Sequence, residues 1–316
     1  MSYGFKECLD KDIWNDFVKS SPQYNLFCNT SYFDLLGGEY KLYFVVKQEQ
    51  ILSAVFIILD KYGDQLSFQE NYQGILYSNL FDDLSSHSKI PKMLELNKFL
   101  INELSNKYPK INLSLHHSVK DLRSFQWYKY HEPEEQKIKL NLSYTGLIDL
   151  KKVNSLDDFL KNIRRVRRRE YFKALKNNLI IEESNDVDTL DRLHNQMFLN
   201  QGLKRSNQEI KILKNVTKDS ITNEYGKLYI CYTPERIACS AYLMLFDSKT
   251  GFSKYGASNP NYKNLGAYTY LTIHCIFKCI ELGLDTWDFL GVNSPNRGDY
   301  KISFNPDLIP YYGLQF

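Results

Sequence analysis

The chain has 316 residues, 43% hydrophobic and 24% charged, with 40 Lys and Arg against 37 Asp and Glu. This is the balance of a globular protein with one large core or two of ordinary domain size; it excludes a disordered chain, and a net charge of +3 gives no basis for general DNA affinity. The six cysteines (Cys8, Cys28, Cys231, Cys239, Cys275, Cys279) form no CxxC pair and no His stands at finger spacing, so no metal is expected and the thiols read as reduced core residues of a cytoplasmic protein.

Residues 12–37 read as helical, with Trp14, Phe17 and Val18 on one face and Tyr32, Phe33, Leu35 and Leu36 on another, ended by Gly37-Gly38. Strand-like runs follow at 40–47, 51–59 and 65–68, parted by polar turns at 47–50 and 61–64, which predicts an antiparallel meander. A polar loop over 69–74 leads into Ile75-Leu76-Tyr77. Met93, Leu96, Leu100 and Leu104 predict a helix over 90–108, and 111–116 reads as a strand ending at His116-His117. Adjacent strand residues face opposite ways, so at most one of these histidines can turn toward a site. A satisfied structural His is the plainer reading. The 24 tyrosines could stack on sugars or bases, although coding bias toward Tyr, Asn, Lys and Ile explains them as well.

Residues 157–177 predict a single helix, the most charged stretch of the chain, with an apolar stripe of Leu156, Phe159, Leu160, Ile163 and Val166. On one continuous helix Lys161, Arg164, Arg165 and Arg168 share a face, with Arg167, Arg169, Lys173 and Lys176 nearby and Glu170 opposing them. Such a cluster repels itself unless an anion covers it, such as a diphosphate, an RNA backbone or an anionic lipid-linked sugar. The plainer alternative is a solvated face paired with Glu182 and Glu183. Helices starting near 186 and ending near 218 flank a loop at 200–206, and strands are expected at 227–233, 237–246 and 251–255.

The stretch from Gly251 to Pro306 is the most suggestive. Its order is strand, Gly-bearing loop, a helix over 267–282 stopped by Gly283, and a buried strand from Thr286 to Gly291. Gly266 at the helix start can free backbone N–H groups for an anion, with the helix dipole in support.

Four pieces here stand in a telling order: Tyr255-Gly256-Ala257-Ser258, Lys263-Asn264-Leu265-Gly266-Ala267-Tyr268, Trp287-Asp288-Phe289-Leu290-Gly291 and Tyr300-Lys301-Ile302-Ser303-Phe304. They resemble the C-terminal half of Fem-type aminoacyltransferases and of the Fem-like tandem acetyltransferase-fold (GNAT) proteins of bacterial surface-polysaccharide gene sets. The Asp-x-Arg-x-Phe-x-Trp run from Asp121 to Trp127, followed by Tyr144–Leu150, resembles the segment between the two halves of the polysaccharide branch. The resemblance implies an α/β fold of two tandem GNAT domains, at 1–145 and 146–316, each a mixed, mostly antiparallel sheet flanked by helices. A cleft between or beside them would hold the substrate. It implies an acyl- or aminoacyltransferase forming an amide on an amino sugar of a surface glycan or of its nucleotide- or lipid-linked precursor, in the cytoplasm and touching the membrane only through a lipid-linked acceptor. Two readings stay open beside it: an aminoacyl-tRNA-dependent transferase for a peptidoglycan precursor, and a non-catalytic glycan- or RNA-binding protein that keeps the fold. Such tRNA-using enzymes often carry a long charged helical hairpin, and this chain has no heptad segment of that kind.

The same resemblance makes Lys301 the active-site cation that steadies an oxyanion; as a bare feature, a Lys at a sheet edge is a surface charge. Asp288, at a strand end, would take the proton of the attacking amine, or else simply close the strand. Lys263, Asn264, Gly266 and Ala267 would form the donor loop, for acyl-CoA or for aminoacyl-tRNA, with tRNA a partner in the second case. In that loop Tyr268 replaces the last small residue of the CoA-binding pattern, and its bulk crowds a pyrophosphate. Arg164, Arg165 and Arg168 would bind phosphate of donor or acceptor. Asp121, Arg123 and Trp127 would form an acceptor corner with the indole stacked on a sugar; the alternative is an interdomain ion pair beside a core Trp. Tyr255 and Tyr300 complete the expected substrate contacts. No GxSxG elbow, P-loop, HExxH or Rossmann fingerprint is present.

Overall fold

The computed structural model describes residues 2–59 and 71–316, so the strand expected at 65–68 and its flanking turns lie outside the described residues. The chain divides into two compact units, one of residues 1–144 with 310–316, the other of residues 145–309.

The first unit holds strand β1 (Gly4–Glu7), helices α1 (Lys11–Ser20) and α2 (Thr30–Leu36), and strands β2 (Glu39–Lys47), β3 (Gln50–Leu59) and β4 (Ile75–Tyr77). Helix α3 (Ser86–Lys107), strand β5 (Asn112–Ser114) and the short helix α4 (Arg123–Gln126) follow. Strands β1 to β4 lie in sequence order in one antiparallel sheet. Its two-residue alternation sorts the side chains. Tyr43, Val45, Val55 and Ile57 join a core with Leu96, Leu100 and Leu104 of α3, while Phe44 and Phe56 turn the other way to meet Trp14 of α1 at 5.6 and 6.0 Å between ring centroids. The single helix expected over 12–37 is two helices. Ser21 is extended and precedes Pro22, which cannot continue the α1 hydrogen-bond ladder.

Strand β6 (Lys139–Asp149) carries the chain into the second unit. There follow α5 (Leu156–Asn162), α6 (Arg165–Lys176), β7 (Ile180–Ser184), α7 (Val187–Leu199) and α8 (Asn207–Thr222). Then come β8 (Gly226–Tyr232), β9 (Ala238–Phe246), β10 (Thr250–Ser258), α9 (Ala267–Glu281), β11 (Thr286–Asp288), α10 (Pro295–Ile302) and β12 (Asp307–Gln315). The sheet of this unit runs β6-β11-β10-β9-β8-β7. Every step is antiparallel except β10 to β11, which is parallel. Tyr229, Tyr242 and Trp287 face α9 and α6 in one buried cluster with Leu271, Ile276 and Tyr171. Leu228, Ile230 and Leu243 alternate to the opposite face, where α7 and α8 lie on β8 to β10. The end of β12 returns to the first unit, where Gly313 pairs with Ser114 of β5.

The helix expected over 157–177 is broken in two. Ile163 and Arg164 are extended, and the Arg164 N–H donates to the Ser303 carbonyl at 2.9 Å instead of continuing a helix. Lys161 therefore does not share a helical face with Arg164, Arg165 and Arg168. The six cysteines are buried free thiols. Among the described residues, no helix is long and apolar enough to cross a membrane.

Candidate active site

Strands β10 and β11 pair only from Thr250–Phe252 to Thr286–Asp288. Immediately beyond, a bulge between Ser253 and Tyr255 shifts the β10 register, and the chain leaves β11 through Leu290 and Gly291 at φ of 53° and 84°. The strands part at that point. The opening is a cleft of about 510 Å³ within the second unit, the size of a small-ligand site. Its floor is Ser253–Ser258 of β10; α6, α7, the start of α9, and α10 supply the walls.

The lining carries five basic side chains, Arg167, Lys254, Lys263, Arg297 and Lys301, against the single carboxylate of Glu170. Arg167 of α6 has its side chain only 15% exposed. Its Nη1 donates to Glu170 Oε2 at 2.5 Å and to Thr269 Oγ1 at 3.4 Å. Its guanidinium lies 4.6 Å from the Tyr300 ring centroid, and its buried Nε has no partner among the described residues. Tyr300 sits 5.2 Å from Tyr268, which in turn sits 5.4 Å from Tyr242. These rings make an aromatic wall, and burial, the leading cause, pushes the Tyr268 and Tyr300 hydroxyls well above the ordinary range.

Lys301 lies in helix α10, not at a sheet edge. Pro295 at the first turn sets that helix, and the helix aims the ammonium back at the β11 exit. There Nζ donates to the carbonyls of Phe289 at 2.6 Å, Gly291 at 2.9 Å and Leu290 at 3.4 Å. Burial lowers its pKa to about 8, with the Asp288 charge opposing that fall and Arg297 adding to it. Asp288 itself is buried and is not part of the cleft lining. Its Oδ1 accepts from the Thr145 hydroxyl at 2.5 Å and from the Leu290 N–H at 2.8 Å, holding the strand exit in shape.

Of the other expected site residues, Lys263, Gly266, Tyr255 and Tyr300 line the cleft, whereas Asn264 and Ala267 do not. Arg164 is turned to Asp299, with Nη1 to Oδ1 at 2.6 Å, and Arg165 and Arg168 are absent from the lining. Asp121, Arg123 and Trp127 belong to the first unit and take no part in this cleft. Asp121 and Arg123 form a local bidentate pair at 2.9 and 2.6 Å, and Trp127 is 52% exposed, so it is not a core residue. His116 and His117 also lie in the first unit, their rings tilted at 34° with centroids 4.1 Å apart, and His116 Nδ1 is 2.8 Å from the Ser118 hydroxyl. Sequence reasoning singled out neither Arg167, lost among its basic neighbours, nor His194 and Arg297, which stand in no motif.

A diphosphate-bearing donor such as acyl-CoA would be expected at the start of α9. Gly266 is there in the left-handed conformation (φ 82°) that only Gly adopts freely. A Cβ at this position would collide with the Glu170 carbonyl oxygen, so α6 is already seated on the loop. The Glu170 carboxylate also accepts from the Thr269 hydroxyl of the first α9 turn at 2.5 Å. A carbonyl and a carboxylate line the place where a diphosphate needs donors.

Residues 157–301 match the acetyltransferase (GNAT) domain family. No curated protein sequence matches the chain. Among solved structures it is similar to FemX, at 13% identity and TM-score 0.68, over 99% of this chain and 97% of that one. It is also similar to a tandem GNAT protein from the clavulanic acid biosynthesis pathway (9% identity, TM-score 0.54, 100% and 98% covered). A third is L-PGS from Bacillus licheniformis (11% identity, TM-score 0.52, 96% and 91% covered). The second unit is similar to the acetyltransferase (GNAT) domain family, and the chain as a whole has the fold seen in FemX and in the tandem GNAT protein.

Proposed function

We propose that the cleft of the second unit transfers an acyl or aminoacyl group to the amine of an amino sugar carried on a phosphate-bearing acceptor, a nucleotide- or lipid-linked glycan precursor. The observation that carries this reading is the lining: five cations against one carboxylate, beside a wall of tyrosines. Cations suit phosphate oxygens, and aromatic faces suit a sugar or base ring. Acyl transfer from an activated ester or thioester needs no covalent enzyme intermediate. The amine nitrogen bonds to the acyl carbon, the ester C–O or thioester C–S bond breaks, and the amine proton ends on the departing oxygen or sulfur. Positioning and charge stabilisation are the enzyme's part. Lys301 is the electrostatic group. Two of its protons are held by short bonds, and the one spanning 3.4 Å to Leu290 is the one it can turn to a substrate oxygen.

The start of α9 favours an aminoacyl-tRNA ester over acyl-CoA as donor, because the Glu170 carboxylate takes the Thr269 hydroxyl there and the Glu170 carbonyl leaves no room beside Gly266. That observation keeps a transferase acting on a peptidoglycan precursor as the second reading. The test is incubation of the purified protein with UDP-glucosamine and either acetyl-CoA or a charged tRNA pool, followed by mass spectrometry. An amide product with charged tRNA supports the reading. A product with acetyl-CoA alone overturns the donor assignment, and no product with either donor overturns the transferase reading.

A further inference from the structure

Helix α7, one wall of the cleft, brings His194 to the lining, and two charged groups outside the lining that the proposed chemistry does not use stand near it. Helix α7 presents Asp191 and His194 three residues apart, on one side of the helix. Arg205, from the loop ahead of α8, reaches in with its side chain 1% exposed. Its Nη1 donates to Asp191 Oδ1 at 2.7 Å and to the Asp191 carbonyl at 3.3 Å. Three buried nitrogens remain without a partner among the described residues: Nε and Nη2 of Arg205 and Nδ1 of His194.

Guanidinium nitrogens only donate, whereas a neutral imidazole nitrogen can accept. Arg205 lies near enough for its charge to act on the His194 ring, and two orphan donors with one potential acceptor suit an internal water between them. If Nδ1 accepts there, the ring proton must sit on Nε2, the nitrogen left to the cleft. The ring is fixed in place by Phe198 at 5.0 Å and by Tyr255 at 5.8 Å, edge to face. Burial and the Arg205 charge hold the imidazole pKa down to about 4, Arg297 adding to them against Asp191 and Glu209.

Resting on the acyl-transfer reading for its ligand, we infer that His194 is a neutral imidazole in the Nε2–H form that donates a hydrogen bond to an oxygen of the bound acceptor, a hydroxyl or carbonyl. Cations attract every anion, but a neutral donor at a fixed angle discriminates among oxygens. His194 is thus a specificity residue of this cleft.

Nitrogen-15 NMR of the histidine-labelled protein reads the tautomer directly, with the His194 signal assigned by its loss in His194→Gln. The Nε2–H form should persist from pH 5.5 to 8. An Nδ1–H form, or an imidazolium titrating near the ordinary value, overturns the inference and leaves the acyl-transfer reading standing. In calorimetric titration with UDP-glucosamine, His194→Phe should weaken binding about fivefold to tenfold, and His194→Gln, whose amide can still donate, should stay within about threefold of the parent. Equal affinity for His194→Phe and the parent also overturns it. No binding by the parent instead overturns the acceptor class, and the tautomer still decides the state of His194.

Discussion

Replacing Lys301 by Met separates the cost of burying a cation from the value of its bonds. The ammonium makes two short bonds, of 2.6 and 2.9 Å, and one of 3.4 Å to the carbonyls of the β11 exit. Bonds from a charged donor are worth about 1.5–3 kcal/mol each, so the two short ones hold roughly 3–6 kcal/mol. Against this, burial lowers the pKa from 10.5 to about 8, which at 1.36 kcal/mol per unit costs about 3 kcal/mol while the group is charged. Lys301→Met should therefore destabilise the protein by only about 0–3 kcal/mol at pH 7. The decisive signature is in pH. Between pH 8 and 10.5 the folded protein has released the proton that the unfolded chain still holds, so parent stability rises with pH. The variant lacks this gain, and other titrating groups are common to both proteins. Urea denaturation of the two proteins from pH 7 to 10 should show the stability gap widening by up to about 3 kcal/mol in favour of the parent. A gap that is flat or narrows refutes the buried, depressed Lys301.

Three further outcomes follow from the site. Arg167→Met removes the cation over Tyr300 and the partner of Glu170; affinity for UDP-glucosamine should fall about tenfold or more by calorimetry. Gly266→Ala forces a side chain onto the Glu170 carbonyl at a φ of 82°. It should cost about 2 kcal/mol or more, read as a lowered Tm. Arg164→Ala breaks only an exposed pair with Asp299, and its loss should lower stability by about 0.2–1 kcal/mol in urea denaturation.

What was legible in the sequence was what local chemistry decides. The period-two runs of β2 and β3, the Leu96–Leu100–Leu104 stripe of α3 and the Gly266-to-Gly283 frame of α9 all lie where the residues put them. Pro22 and Pro295 mark a helix break and a helix start in the same local way. The break between α5 and α6 was not legible, because the Ser303 carbonyl that pulls Arg164 out of helical form lies far along the chain. For the same reason the choice among the arginines of this helix could not be made from spacing. Only the arrival of Tyr300, Glu170 and Thr269 around one guanidinium distinguishes Arg167 from its neighbours. β7 and β12 are strands whose residues alternate without a clean apolar face, and no periodicity marks them.

The central claim is that the cleft where β10 and β11 part carries acyl transfer with Lys301 as its electrostatic group. A single-turnover assay with charged tRNA and UDP-glucosamine, comparing the parent with Lys301→Met by mass spectrometry, tests it most directly. The account predicts amide formation by the parent and a rate about 10²–10³ lower in the variant, the cost of removing one donor to a developing oxyanion. Equal rates in the two proteins would contradict it.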